Sequence, residues 1–225
     1  FLMLTSGVLS TVAFPRLSLA AAPGHVATAR EVARSLRLAI WLGIPAFAVV
    51  ALFAQPLVRD LFQRGHFTAG NALTVAETIR WLSGIVIGAS LGELCAKTLF
   101  ALRESRTPLL FTIVAIALLA GLKLACVRDG DLTTLAIINS AISLAGAAAY
   151  LVLIRYRLGP EVFSNLTGPL VRSLLSTALA VFTGALVLQT GLPLSGIAGL
   201  GVGFAVYAVA MWLSGEVRKF RDEVS

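Results

Sequence analysis

The amino-acid sequence predicts an all-α membrane protein, a polytopic bundle of about six full transmembrane helices preceded by the end of another. The chain is 58% hydrophobic and only 13% charged, whereas about a quarter of the residues of a soluble domain carry charge. Apolar runs of about 20 residues, the length that crosses a hydrocarbon core of about 30 Å, recur along the chain. Most basic residues lie between these runs. Most of the surface is therefore expected to face lipid.

Each predicted span is an apolar run with few or no charges. The first four full spans are Leu38–Val58, Trp81–Leu102, Leu109–Val127 and Leu132–Ile154. The uncharged segment Ser173–Gly215 is too long for one span, and the sequence Gly191-Leu192-Pro193 interrupts it. This pattern predicts a helical hairpin over residues 171–190 and 195–214. The apolar segment Phe1–Ala13 predicts the end of a preceding span, whose beginning would lie in a missing N-terminal part.

Two linkers are longer than the others. Pro15–Arg37 has an amphipathic middle, which predicts a helix between two spans. Arg59–Arg80 predicts a loop followed by a short helix, for which Thr68 or Asn71 could be the N-cap. Within the first full span, Pro45 leaves a backbone carbonyl without its helical partner, so we expect a kink or a neighbouring helix at that point.

The basic residues indicate the orientation of the spans. Twelve Lys and Arg residues fall in the segments 16–37, 103–106, 155–172 and 218–221, and four fall in the alternate segments 59–80, 128–131 and 189–195. Because cytoplasmic loops carry the excess of Lys and Arg, the first set is predicted to be cytoplasmic. The C-terminus is then cytoplasmic, and the first full span runs from inside to outside.

Several function classes lack support in the sequence. The net charge of +7 resides in short loops without interleaved aromatic residues, so we expect no nucleic-acid partner. Cys95 and Cys126 lie inside apolar runs, where they are interpreted as two buried thiols, and His25 and His66 lie in loops on opposite sides. We therefore expect no disulfide framework, metal site, catalytic residue or cofactor, and no enzyme activity.

Two charged residues within the second full span are the candidate substrate-pathway residues. Glu93 and Lys97 are four residues apart, so they share one helical face and can pair. Charges inside a span cost free energy and usually face a bundle interior or a water-filled cavity. The two residues could line a polar pathway, or they could form a neutralised pair that fixes helix packing. Glycines at four-residue intervals in the same span predict close helix contacts.

Three local strings resemble the MurJ/MviN family of lipid II flippases. They are Ala13-Phe14-Pro15-Arg16-Leu17-Ser18, Leu61-Phe62-Gln63-Arg64-Gly65-His66-Phe67-Thr68 and Ala101-Leu102-Arg103-Glu104-Ser105-Arg106-Thr107-Pro108. Their order and spacing also fit the family. The residues that match its loop motifs are Pro15, Arg16, Arg64, Gly65, Phe67, Arg103, Arg106, Thr107 and Pro108. Beyond Pro108 the resemblance depends on the pattern of spans.

The resemblance implies the C-terminal portion of a transporter with fourteen spans, a member of the multidrug/oligosaccharidyl-lipid/polysaccharide exporter superfamily. Residues 1–160 would form part of the second lobe, and residues 161–225 a terminal two-helix hairpin with a cytoplasmic tail. The implied partners are a polyprenyl-linked cell-wall precursor, membrane lipids and a missing N-terminal lobe. Such a protein works by alternating access in the bacterial cytoplasmic (inner) membrane during peptidoglycan synthesis. Its last two spans form a groove for the polyprenyl tail.

One departure from the family leaves alternatives open. The family often has a basic residue at the position of Glu93, while Lys97 matches a commonly basic position. An acidic residue makes a cavity less favourable for a pyrophosphate. A related polysaccharide-unit flippase, a non-transporting scaffold that binds lipid carriers and a membrane enzyme acting on polyprenyl phosphates are therefore alternatives. For the enzyme, the inner loops lack an Asp-rich or His motif.

Overall fold

The structure, a computed structural model, describes residues 15–20, 25–62, 68–126, 132–190 and 195–215. Helix α1 is described over residues 15–20. The helices that follow are α2 (His25–Phe62), α3 (Ala69–Ala101), α4 (Arg106–Cys126), α5 (Leu132–Leu158), α6 (Thr167–Gln189) and α7 (Ser195–Leu213). A short 3-10 helix, Pro160–Phe163, connects α5 to α6. The described residues contain no strand, in agreement with the predicted all-α class.

Six helices within the described ranges, α2 to α7, are long and apolar enough to cross a membrane. They correspond one for one to the six predicted full spans, so the span count is confirmed. The predicted end of a preceding span, Phe1–Ala13, lies outside the described residues. The turn predicted at Gly191-Leu192-Pro193 also lies outside them, but α6 and α7 pack side by side as a hairpin requires.

Both linker segments are helical, as predicted, but the expectation that they are separate from the spans was wrong. The amphipathic segment before Leu38 is the first part of α2, which continues without a break into the span. The predicted short helix after Thr68 is likewise the first part of α3. No Pro or Gly separates either segment from its span. At about 1.5 Å per residue, the 38 residues of α2 measure about 57 Å, so the helix extends well beyond the hydrocarbon core.

The start of α3 confirms Thr68 as its N-cap. Thr68 has extended backbone angles, and its hydroxyl oxygen accepts a hydrogen bond from the Asn71 N–H at 3.3 Å. This bond satisfies one of the N–H groups that have no partner in the first turn of a helix. The cap therefore fixes where the chain enters α3.

The main core lies at the end of the bundle where α1, α2, α3, α5 and the 3-10 helix meet. Its fully buried side chains are contributed by all five elements and include Leu17, Val32, Leu99, Ile154 and Val162. Segments predicted to lie on the same side of the membrane therefore meet at the same end. Cys95 is buried in this core, as expected, whereas Cys126 is exposed at the last residue of α4, so the prediction of two buried thiols was wrong for Cys126.

Glycines set the closest helix contacts, as their four-residue spacing predicts. A Cβ on Gly88 would lie 2.7 Å from the backbone carbon of Ser143 in α5, and one on Gly84 would lie 2.9 Å from the Cβ of Ser140. In the hairpin, a Cβ on Gly203 would lie 2.9 Å from the Ala180 carbonyl oxygen. Any larger residue at these positions would force the helices apart.

Candidate functional site

The two charged residues within α3 form an ion pair. The Lys97 Nζ lies 2.9 Å from the Glu93 Oε1, as their four-residue spacing predicts. The side chain of Lys97 is 24% exposed and that of Glu93 is 38% exposed, so the neighbouring helices cover neither of them fully. Lys97 therefore pairs within its own helix. The two opposite charges neutralise each other on this face of α3, and the pair remains partly exposed.

The opposite side of the same turns is closed. Leu94, Cys95, Thr98 and Leu99 are all buried, and α3 packs there against α2 and α5. The hydroxyl of Thr98 donates to the Leu94 carbonyl of its own helix at 3.0 Å. The ion pair thus lies at the edge of a packed interface, where it can meet lipid, another part of the protein or a substrate.

An apolar groove of about 220 Å³ runs between α2, α6 and α7. Aromatic side chains such as Phe53 and Phe204 line it together with Val49 and Leu200. Thr177 places a buried hydroxyl in this lining, and that hydroxyl has no hydrogen-bond partner among the described residues. The remaining lining is almost entirely hydrocarbon, which suits an alkyl or prenyl chain.

One wall of the groove is fixed by the proline in the middle of α2. Pro45 has no N–H, so the Trp41 carbonyl four residues earlier loses its helical partner. The Tyr207 hydroxyl of α7 donates to this carbonyl at 2.6 Å. The Ser173 hydroxyl of α6 lies 3.4 Å from the Tyr207 oxygen and donates to the Ile40 carbonyl at 3.4 Å. The expected neighbouring helix is therefore present, and it joins the hairpin to α2.

A carboxylate fixes the other end of the hairpin. Asp60 Oδ2 accepts a hydrogen bond from the Gly196 N–H at 2.7 Å, at the second residue of α7. A negative charge at a helix N-terminus is stabilised by the helix dipole and by the free N–H groups. A Cβ on Gly196 would lie 3.0 Å from the Pro56 carbonyl, so only glycine allows this approach.

The motif between α3 and α4 has a defined conformation. Arg103 has a φ of 62°. Its N–H donates to the Phe100 carbonyl at 3.0 Å, and the Glu104 N–H donates to the Leu99 carbonyl at 2.9 Å. These two bonds form a Schellman motif, in which glycine normally occupies the left-handed position. An arginine at this position costs about 1 to 2 kcal/mol of backbone strain.

Two further contacts join this motif to α5. The Arg157 Nη2 lies 3.1 Å from the Glu104 Oε1, which connects two loops assigned to the same side of the membrane. Pro108 is buried, and the Tyr150 hydroxyl donates to its carbonyl at 3.5 Å. The Tyr150 ring also stacks on Phe111 at a centroid distance of 4.3 Å. The loop between α3 and α4 is therefore held against α5.

The other motif residues are distributed along the chain. Pro15 begins the described part of α1, where the Ser18 hydroxyl donates to its carbonyl at 2.9 Å, and Arg16 follows it. Arg106 and Thr107 lie at the start of α4. Arg64, Gly65 and Phe67 lie outside the described residues.

Sequence reasoning did not find three contacts. Pro45 indicated that some group must reach its free carbonyl, but the sequence did not identify Tyr207. The bond from Gly196 to Asp60 and the Glu104–Arg157 pair join residues that are far apart in sequence, so no local pattern predicts them. Within the described residues, no group of three or more His, Cys, Asp or Glu side chains is arranged to hold a metal ion.

Comparison with known proteins identifies relatives of this chain. The family model "Lipid II flippase MurJ" matches residues 3–204. A probable lipid II flippase MurJ of Rhizobium meliloti is 29% identical over 118 residues, which are 52% of this chain and 22% of that protein. A counterpart from Haemophilus influenzae is 28% identical over 80 residues, 36% of this chain and 16% of that protein.

One solved structure has the same arrangement of helices. A lipid II flippase MurJ in an inward closed conformation superposes with a TM-score of 0.78 at 15% sequence identity. The match covers 99% of this chain and 46% of the solved chain. The chain therefore spans less than half of the solved protein, and its fold is that of the corresponding part.

Proposed function

The chain belongs to the lipid II flippase MurJ family, and we propose that it forms the second lobe and the terminal hairpin of a transporter that moves lipid II across the bacterial cytoplasmic membrane. The observation that carries this proposal is the family match over residues 3–204 together with a superposition that covers 99% of the chain. The groove between α2, α6 and α7 adds a site for the lipid tail.

The chemistry of the substrate explains why such a protein needs two kinds of surface. The head group of a lipid-linked cell-wall precursor is large, polar and anionic, so it cannot cross an apolar layer unaided. We propose that the apolar groove holds the polyprenyl tail while a polar cavity shields the head group. Residues 161–225 would then serve the tail, and residues 1–160 would provide one wall of the cavity.

Alternating access requires two lobes that move against each other. The chain corresponds to 46% of the solved flippase, so more than half of that protein lies outside the match. We therefore propose that the second wall of the cavity comes from an N-terminal lobe of the same kind, and that residues 1–225 alone do not move lipid II. The glycine-mediated contacts within this lobe would let its helices move together as one body.

We propose that Glu93 and Lys97 border the transport pathway as a neutral pair. Their pairing at 2.9 Å and their partial exposure support this role. A neutralised pair would present polarity to the head group without adding a net positive charge. Recognition of the pyrophosphate would then require cations elsewhere in the complete transporter.

The proposed orientation follows from the distribution of basic residues. The segments at 103–106 and 155–172 carry many arginines, and the Glu104–Arg157 pair joins them at one end of the bundle. We propose that this end and the C-terminus are cytoplasmic. Reporter fusions test the orientation: a fusion at Asn165 should report a cytoplasmic position, and one at Asn71 an external position. The reverse pattern would contradict it.

Complementation tests the substrate. The complete gene product should restore growth and cell shape to a bacterium depleted of its own lipid II flippase. A strain lacking its polysaccharide-unit flippase serves as the matched control and should not be rescued. Rescue of the second strain alone would favour a polysaccharide-unit flippase. Membrane-inserted protein that rescues neither strain would favour a scaffold that binds lipid carriers.

A further inference from the structure

Two exposed arginines lie in the turn between α3 and α4, at the predicted cytoplasmic end of the bundle. Arg103 lies two residues after the end of α3, and Arg106 is the first residue of α4. Neither side chain has an ion pair or a hydrogen bond within the part of the chain that the structure describes. Glu104, which lies between them, is already paired with Arg157 of α5 at 3.1 Å. The turn therefore presents two positive charges that the neighbouring helices do not neutralise.

The fold itself does not favour an arginine at either position. Arg103 has a φ of 62°, which strains the backbone of any residue with a Cβ. Arg106 places a positive charge in the first turn of α4, where the helix dipole opposes a cation and where no acidic residue compensates it. The orientation of the spans requires basic residues in this loop but not at these two positions. Because backbone strain is concentrated at ligand-binding and active sites, the two arginines favour an anionic ligand over a role in the fold.

The partly exposed face of α3 leads to this turn. Glu93, Lys97 and Phe100 are spaced by four and three residues, so they share one face, and Phe100 is 47% exposed. Arg103 follows six residues after Lys97, which corresponds to about 9 Å at the rise of an α-helix. The face that carries the ion pair therefore ends in positive charge at the predicted cytoplasmic side.

The apolar surface of α4 places the arginines at the level of lipid phosphates. Leu109 and Leu110, three and four residues after Arg106, are 59% and 60% exposed, so hydrocarbon can begin one turn away. Basic residues next to the apolar part of a span lie at the level of the head groups. The pyrophosphate of a polyprenyl-linked precursor lies at the same depth, because its chain stays in the hydrocarbon. Guanidinium groups match phosphate oxygens through paired N–H donors.

We propose that Arg103 and Arg106 bind the pyrophosphate of the lipid-linked precursor at the cytoplasmic entrance of the transport pathway. This inference rests on the proposed function and adds a binding site to it. The two arginines hold the substrate before its head group enters the cavity. The neutral Glu93–Lys97 pair lies beyond them, so the pyrophosphate is not held by a second cation on this face. The arginines therefore act in substrate capture and not in the later movement of the lobes.

Transport kinetics of the complete protein test this site. The protein is placed in phosphatidylcholine vesicles at about 0.15 M salt, and initial rates are measured over a range of lipid II densities. An exposed charge pair contributes about three- to fivefold in affinity, so Arg103→Gln/Arg106→Gln should raise KM about 10- to 25-fold and change kcat by less than about twofold. The control Arg30→Gln/Arg155→Gln removes two exposed arginines of the same predicted side from outside the turn. Its KM should change by less than about twofold, because salt screens distant exposed charges.

Two single substitutions at Arg103 separate ligand binding from the conformation of the turn. Arg103→Gly relieves the backbone strain but removes the charge, so the protein should become more stable while its KM rises about three- to fivefold. Arg103→Lys keeps both the strain and the charge, so its KM should rise less than that of the glycine variant. A purely structural role for Arg103 would give the opposite order, with the strain-free glycine variant the better transporter.

Three results would overturn the proposal. Equal changes of KM in the two double variants would mean that only the total charge of this side matters. A fall in kcat with an unchanged KM would assign the arginines to a later step. A change of KM that requires phosphatidylglycerol in the vesicles would mean that the arginines bind bulk anionic lipid instead of the substrate. A complete, unmodified protein that moves no lipid II would contradict the proposed function itself, which is a different outcome from these three.

Discussion

Helices α3 and α4 are adjacent in sequence and both are long enough to cross the membrane, but their surroundings are opposite. In the most apolar 18-residue window of α3, 44% of the residues are buried, whereas in that of α4 none is. The less buried helix is also the more apolar one. In a soluble protein the most apolar helix would normally be the core helix. In a membrane, a strongly apolar helix is compatible with lipid on every side.

The difference comes from side-chain size and polarity. The face of α3 that packs on α5 contains Gly84 and Gly88, which let α5 approach closely. By contrast, α4 presents large side chains such as Ile113 and Val114, both more than half exposed. Because lipid tails are as apolar as leucine, apolar area alone does not bring helices together. Hydropathy therefore locates the spans, and small or polar residues decide which of them pack.

Replacing one glycine in each helix by a larger residue tests this comparison. These substitutions have the largest expected difference in stability. Gly88→Leu should destabilise the folded protein by about 3 kcal/mol, since its Cβ would meet the Ser143 backbone at 2.7 Å. The matched variant Gly121→Leu in α4 should be neutral or stabilising by up to about 1 kcal/mol, because nothing lies within 4 Å of its Cβ position. Unfolding in detergent measures both variants. Similar losses would show that α3 and α4 do not differ as described.

Charge variants test the ion pair on the partly exposed side of α3. Glu93→Gln or Lys97→Met alone leaves one charge without its partner inside a span, which should cost about 2 to 3 kcal/mol. The double variant Glu93→Gln/Lys97→Met should cost less than the sum, because no unpaired charge remains.

The exchanged pair separates packing from transport. Glu93→Lys/Lys97→Glu should recover most of the stability, with a small loss from the less favourable order of charges on a helix. Lipid II transport by this variant then decides between the two roles. Full recovery of transport would mean that the pair acts through packing, whereas stable but inactive protein would support a role along the pathway.

A double-mutant cycle tests whether a polar contact fixes the hairpin in the same way that glycines fix α3. Tyr207→Phe should destabilise the protein by about 1 kcal/mol, because the Trp41 carbonyl loses its donor. In a Pro45→Ala background the new N–H can bond that carbonyl, so Tyr207→Phe should cost about half as much or less. Detergent unfolding measures all four proteins. Equal costs in both backgrounds would argue against the proline explanation.

A further effect of about 1 kcal/mol is expected at the turn that joins the two compared helices. Arg103→Gly should stabilise the protein by about 1 kcal/mol, since glycine tolerates a φ of 62° without strain. Arg103→Ala keeps the strain and should be close to neutral. A thermal midpoint higher by about 2 to 4 °C for the glycine variant than for the alanine variant would agree. A lower midpoint would mean that the arginine side chain stabilises the turn.

The sequence was sufficient to predict the membrane-spanning helices, their caps and the close glycine contacts, because these features depend on local patterns. The six spans, the cap at Thr68 and the Glu93–Lys97 pair were all predicted correctly. The helix boundaries were not predicted correctly, because no residue between the amphipathic start of α2 and the span ends a helix. Contacts such as Tyr207 with Trp41 depend on which helices become neighbours, and composition alone does not specify this.

Translocation of lipid II tests the central claim, that this chain is one lobe of a lipid II flippase. Vesicles are prepared with the complete gene product, with residues 1–225 alone or without protein, and the appearance of labelled lipid II on the opposite leaflet is timed. The complete protein should move lipid II well above the protein-free rate, and residues 1–225 alone should match the protein-free rate. A complete protein no faster than empty vesicles, or an equally active 1–225 chain, would contradict the account.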